Sequence, residues 1–152
     1  MRNTIIFFII SLLAVSCGKD KYTTAPQIKY KSLSPNSAPG NITSNNPNVP
    51  IIVINVTDAE GDLGSKDGKE SKIYIKNLLT SAVDSFPLPD IQSVSSKNFQ
   101  ADIRINTFSI LRGSPRNPPK IDTLFYEIYV MDFAKNKSNV IKTGDPLFFV
   151  FP

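Results

Sequence analysis

The sequence predicts an all-β protein, a single antiparallel β-sandwich of about seven strands. Three observations point there. β-Branched and aromatic residues alternate with polar ones over short runs. Segments rich in Pro, Gly, Asn and Ser separate these runs. No segment sustains the three-to-four spacing of an amphipathic helix.

Residues 27–31 alternate, with Ile28 and Tyr30 on one face, and read as the first strand. Residues 34–50 hold Pro35, Pro39, Gly40, Pro47 and Pro50 among Asn and Ser, the composition of a loop. Residues 51–57 are almost wholly β-branched, with Ile52, Ile54 and Val56 expected to face inward. In 72–77, Ile73 and Ile75 alternate with Tyr74 and Lys76. In 98–106, Phe99, Ala101, Ile103 and Ile105 oppose Gln100, Asp102, Arg104 and Asn106. Residues 122–131 form a long run with Leu124, Tyr126, Ile128 and Val130 on one side. Residues 139–141 and 147–151 complete the set. The stretches 78–98 and 106–121 exceed what a hairpin needs, so each is expected to hold a short extra strand or a functional loop. Phe86-Pro87-Leu88-Pro89 is expected to cross the end of the sandwich.

Ahead of this domain, placed at 27–152, lies an N-terminal address. Arg2 precedes an apolar run from Ile5 to Val15, interrupted only by Ser11. At about 1.5 Å per residue a helix of this run spans roughly 16 Å, half a bilayer core, which fits a cleaved signal. Leu13-Ala14-Val15-Ser16-Cys17 then resembles the lipobox of bacterial lipoproteins, with Leu13 one position further from the cysteine than usual. The resemblance implies cleavage after residue 16 and acylation of Cys17. Two or more acyl chains give a stable membrane anchor. In such lipoproteins Asp after the cysteine favours the inner membrane; Gly18 therefore points to an outer-membrane lipoprotein, facing the periplasm or the cell surface. Residues 17–26 are polar and read as the lipidated cysteine and a flexible tether.

Composition excludes several chemistries. The chain has no histidine and one cysteine, so Ser-His and Cys-His nucleophilic systems, Cys/His zinc sites and internal disulfides are ruled out within it. A hydrophobic core must therefore hold the fold. The net charge is +4, with basic residues scattered rather than clustered, which argues against nucleic acid as a partner.

Two acidic loops carry the candidate chemistry. Asp58-Ala59-Glu60-Gly61-Asp62-Leu63-Gly64 follows the strand at 51–57, and Asp132 to Asn139 follows the long strand. In an immunoglobulin-like strand order these are the B–C and F–G loops, which emerge at one end of a sandwich. Asp58, Glu60, Asp62, Asp132 and Asn136 would then converge. Closely spaced carboxylates around a glycine suit a hard cation such as calcium, which takes six to eight oxygens. Asp, Asn and Gly are equally the ordinary residues of turns, and both readings stand at this level. The order of an EF-hand loop is not met, because Gly61 precedes Asp62.

The same segments resemble a family of uncharacterised bacterial lipoproteins with an immunoglobulin-like or cadherin-like domain. The first acidic loop matches its D-x-[DE]-G-D-L-G segment. Tyr126 to Asp132 followed by Asn136-Lys137-Ser138-Asn139 is similar to its Y-x-I-x-V-x-D-x-x-x-N-x-S-N segment. The resemblance implies a sandwich fold, and no known enzyme activity comes with it. Cadherin-like families use such loops for calcium. Asp122-Thr123-Leu124 further resembles the acceptor triplet of a bacterial O-glycosylation system; the start of a strand explains it as well.

The expected function is a non-enzymatic, membrane-anchored binding module for a protein or glycan partner, with calcium as the candidate cofactor. An accessory structural subunit of an outer-membrane assembly is the alternative. A carboxylate-pair hydrolase is not expected, because two acids must flank a cleft and a domain this small leaves little room for one.

Overall fold

The computed structural model describes residues 21–66, 69–88 and 97–152. Cys17 and the signal lie outside them. The strands are β1 (Gln27–Ser34), β2 (Ser37–Pro39), β3 (Ile51–Asp58), β4 (Ser65–Lys66), β5 (Lys69–Glu70), β6 (Lys72–Asn77), β7 (Val83–Pro87), β8 (Phe99–Asn106), β9 (Lys120–Leu124), β10 (Tyr126–Met131), β11 (Ile141–Lys142) and β12 (Leu147–Phe151). A single 3-10 turn, Phe108–Ile110, is the one helical element among the described residues.

One sheet has the order β1-β3-β8 and another the order β11-β10-β6-β7. Both are antiparallel throughout. A third sheet, β2-β12-β9, joins β2 parallel to β12 and β9 antiparallel to it. Strands β4 and β5 pair antiparallel. The expected all-β architecture is therefore present: open antiparallel sheets enclose one apolar core.

The side-chain period of two dictates that core. Ile52, Ile54 and Val56 of β3 are fully buried, and so are Leu124, Tyr126, Ile128 and Val130 along β9 and β10. Ile73, Ile75, Phe99, Ile103 and Ile105 meet them from β6 and β8. Each such side chain stabilises the fold by about 1.5–3 kcal/mol relative to exposure.

The long run 122–131 divides at Phe125. Its alternation continues unbroken, but the first half pairs with β12 and the second with β6 and β11. A register shift between Tyr30 and Ser32 changes the phase of β1, so Ile28 and Leu33 are both buried although five positions apart. The stretch read as a loop at 34–50 contains β2, and the long stretch 78–98 contains β7. Phe86 and Pro87 are the last residues of β7, and Leu88 enters the core, so this part of the proline segment continues a sheet edge.

Residues 21–26, expected within the tether, lie along the domain. The Thr57 hydroxyl donates to the Lys21 carbonyl at 3.0 Å, the Ala59 amide donates to the Thr23 carbonyl at 3.1 Å, and Pro26 is buried. These contacts have a simple cause: the end of β3 offers polar groups that the incoming chain satisfies.

Asn139 links the two main sheets. Its amide oxygen accepts from the Ile28 amide at 2.8 Å, and its side-chain nitrogen donates to the Ile28 carbonyl at 2.9 Å.

Candidate functional site

The acidic loops meet at the end of the sandwich where β3 and β10 finish. Asp58 closes β3, and Asp132 follows Met131 of β10. The chain turns sharply between Asp58 and Gly64. Gly61 has φ of 68° and Gly64 has φ of 114°, conformations that favour glycine. The Asp58 Oδ2 accepts from the Gly61 amide at 2.6 Å and from the Asp62 amide at 3.3 Å. The second loop is a tight turn in which the Asp132 Oδ1 accepts from the Asn136 amide at 2.7 Å, while Lys135 adopts φ of 71°.

The loops are tied to each other. The Phe133 amide donates to the Asp62 carbonyl at 3.2 Å. Ser71 braces the first loop from below: it is fully buried, its hydroxyl donates to the Asp62 carbonyl and accepts from the Gly64 amide, both at 3.3 Å. Nothing in the sequence marked Ser71, since one serine before a strand carries no pattern.

Three of the five expected residues converge. Asp58, Asp62 and Asp132 each bring a carboxylate oxygen within 4.8 Å of the others. Asp58 and Asp132 are fully buried, and Asp62 is half-buried. Glu60 stands apart: its side chain is exposed and lies outside this group of three. In the turn, residues 58, 61 and 62 fold inward, and 60 occupies the crest. Asn136 is adjacent, but its side-chain amide donates to the Asp132 Oδ2 at 2.9 Å, so it orients a carboxylate.

Electrostatically the cluster is under tension. The Asp58 Oδ1 and the Asp62 Oδ1 are buried and have no hydrogen-bond partner. Burial pushes the Asp58 carboxyl up to about 6, with the Asp62 charge adding to the rise and the Gly61 amide opposing it. Burial also raises Asp62, followed by the charge of Asp132, while hydrogen bonds from the Asp58 carboxyl and the Ala134 backbone oppose the rise. Such groups are relieved either by a proton on Asp58 or by a cation.

The donor set suits a hard cation and would supply three of the six to eight oxygens that calcium takes. Ligands about 2.4 Å from one ion are at most about 4.8 Å apart, and hard carboxylate oxygens are its preferred donors. Asp58, Asp62 and Asp132 would hold the ion, which would bridge the end of β3 to the end of β10.

Asp122, which opens the glycosylation-like triplet, has a structural task elsewhere. Its two oxygens accept from the Ser114 amide and hydroxyl, both at 2.7 Å, and it pairs with Lys120 at 3.1 Å, both side chains being 5% exposed. Lys120 also donates to the Ser114 carbonyl and lies over the Phe151 ring. This network holds the long stretch 106–121 against the third sheet.

Comparison of the chain with protein-family models, with curated proteins and with solved structures finds no match in any of the three.

Proposed function

We propose that the chain is a membrane-anchored envelope lipoprotein: an immunoglobulin-like, non-enzymatic binding module whose anchor-side end is cross-linked by a calcium ion. The observation that carries the calcium assignment is the fully buried Asp58, whose unpartnered Oδ1 belongs to a three-carboxylate cluster. Ionised, that oxygen is an orphaned buried acceptor, which costs about 1–3 kcal/mol; a cation relieves it with both acids charged, whereas without one Asp58 must keep a proton and donate it to Asp62.

Two features support the immunoglobulin-like reading. The first strand is split, with β1 antiparallel to β3 and β2 parallel to β12. The order β1-β3-β8 opposite β11-β10-β6-β7 corresponds to strands A, B, E facing G, F, C and C′. Burial of Asp58 and Asp132 favours a structural over a catalytic task, because substrate has no access to them. The anchor reading rests on the lipobox-like segment, and Gly18 supports the outer membrane. Lys21 lies beside Thr57, so a lipid on Cys17 would hold the acidic end within roughly 15 Å of the bilayer surface, given about 3.5 Å per extended residue.

The test is thermal melting of the full-length protein in detergent, with calcium and with chelator. Calcium at a hundredfold excess over Kd should stabilise the fold by about 2.7 kcal/mol. Asp62→Asn and Asp132→Asn should each remove that response. No shift at millimolar calcium would reduce the three acids to loop chemistry. Mass spectrometry of the mature N-terminus tests the anchor: an acylated Cys17 is expected, and an unmodified cysteine would refute it.

A further inference from the structure

We infer that the outer face of the sheet β11-β10-β6-β7 binds an anionic glycan, an assignment that rests on the binding-module reading and gives its ligand a chemical class. The face is built in rows by the strand register. Lys72 lies opposite Met131 and Pro87, Tyr74 opposite Tyr129 and Ser85, and Lys76 opposite Glu127 and Val83, with Lys142 beyond Glu127. These rows run roughly 14 Å along the strands at about 3.4 Å per residue, a length suited to an extended ligand of a few rings.

Two properties of this face select the ligand. The first is charge: Lys72, Lys76, Lys137 and Lys142 are opposed by Glu127 within the face and by Glu70 at its margin, 3.5 Å from Lys72. An excess of cations favours an anionic partner. The second is the aromatic array. Tyr74 and Tyr129 stack at 4.6 Å with their planes 7° apart. The Lys137 Nζ lies 4.0 Å above the Tyr129 ring, and the Lys142 Nζ lies 4.5 Å above Phe125. Two of the four ammonium groups, those of Lys137 and Lys142, are thus held in position by rings rather than left to sweep through solvent. Beside them is a shallow depression of about 180 Å³, lined by Lys76, Val83, Glu127, Tyr129, Lys137 and Val140. Val83 is 59% exposed and Val140 52% exposed, leaving apolar surface at the rim. On its side away from Tyr129, Tyr74 has the small Ser85 as its register partner. Apolar C–H faces and acidic substituents alternate on an acidic sugar chain, and this surface offers partners to both.

The experiment is calorimetric titration of the full-length protein in a neutral detergent with a trisaccharide of galacturonic acid and, separately, the neutral galactose trisaccharide. The acidic sugar should bind about tenfold more tightly. Tyr74→Ala should weaken it about fivefold while Tyr74→Phe retains it. Lys137→Gln should also weaken it, and added salt should weaken the wild type. Absence of binding, or binding indifferent to Tyr74→Ala and Lys137→Gln, overturns the inference. So does binding of oligothymidylate, or of phosphatidylglycerol vesicles, by a protein that ignores the trisaccharide. The calcium response of each variant is measured alongside. If it is intact while the sugar fails to bind, this inference alone falls; its absence from the wild type counts against the calcium reading instead. The melting transition itself, with or without calcium, verifies folding, and Lys137→Gln keeps the test decisive should Tyr74→Ala not fold.

Discussion

Replacing Asp58 by asparagine separates a cation site from a turn. Asparagine has nearly the shape of a protonated aspartic acid, and its oxygen can still accept from the Gly61 and Asp62 amides that now bond the Oδ2. What changes is the charge. With chelator present, Asp58 carries its proton in the fold up to about pH 6, against an ordinary value of 3.8. The folded state therefore binds more protons than the unfolded chain between these values. Stability falls as pH rises through that window and remains lower above it. At 1.36 kcal/mol per unit the difference is at most about 3 kcal/mol, and water near the half-buried Asp62 reduces it. Asp58→Asn should thus raise the melting temperature in chelator at pH 8, by up to about 10 °C for a domain of this size. The gap between variant and wild type should close as pH is lowered toward 4. In saturating calcium the order should reverse, since wild type gains a ligand that the variant has lost. A lower melting temperature for Asp58→Asn in chelator at pH 8 would refute the reasoning, because it would show the ionised carboxylate to be favourable as it stands.

Further outcomes follow from other parts of the fold. Asp122→Ala leaves Lys120 buried without its partner and should cost about 3–5 kcal/mol in denaturant unfolding. Hydrogen bonds from Ser114 and Lys120 outweigh the effect of burial and hold Asp122 below the usual carboxylate range, so in wild type this contribution is present above that range and lost as pH falls. Gly113→Ala would place a methyl group 2.6 Å from the Asp122 Oδ2 and 2.9 Å from the Phe151 ring, and a loss of about 1–3 kcal/mol is expected in the same assay. Tyr126→Phe should be neutral or stabilising by about 1 kcal/mol, because the Tyr126 hydroxyl is buried without a partner. Asn139→Ala frees the Ile28 amide and carbonyl at once and should destabilise by about 1–3 kcal/mol, with faster hydrogen exchange in β1.

The strands of the core were legible because a period of two leaves a residue-level trace. Ile52, Ile54 and Val56 face inward as their alternation requires, and so do Leu124, Tyr126, Ile128 and Val130. The partition of that last run was not legible. Its alternation passes through Phe125 without a break, and only the neighbours, β12 on one half and β6 on the other, divide it. β2 was hidden for a related reason, and β7 was expected only as a short extra strand or a loop somewhere in 78–98, without bounds. Each is short, lies at a sheet edge and contains proline, which local composition assigns to loops.

The acidic site shows the same boundary between composition and conformation. That Asp58, closing β3, and Asp132, following β10, lie at one end of a sandwich follows from strand order, and their approach was foreseeable. Which acid of the first loop joins them is decided by backbone dihedrals. Gly61, at φ of 68°, reverses the chain after Glu60, so Asp62 turns toward Asp132 and Glu60 toward water. A carboxylate two residues after Asp58 and one four residues after look equivalent in sequence. The glycine between them makes them different, and Ser71 with the Phe133 amide then fixes Asp62 in place through its carbonyl. The cluster is therefore a property of the turn and its braces as much as of the acids. If the proposed site holds calcium, Gly61→Ala or Ser71→Ala should shrink the calcium-induced rise in melting temperature although the three carboxylates remain.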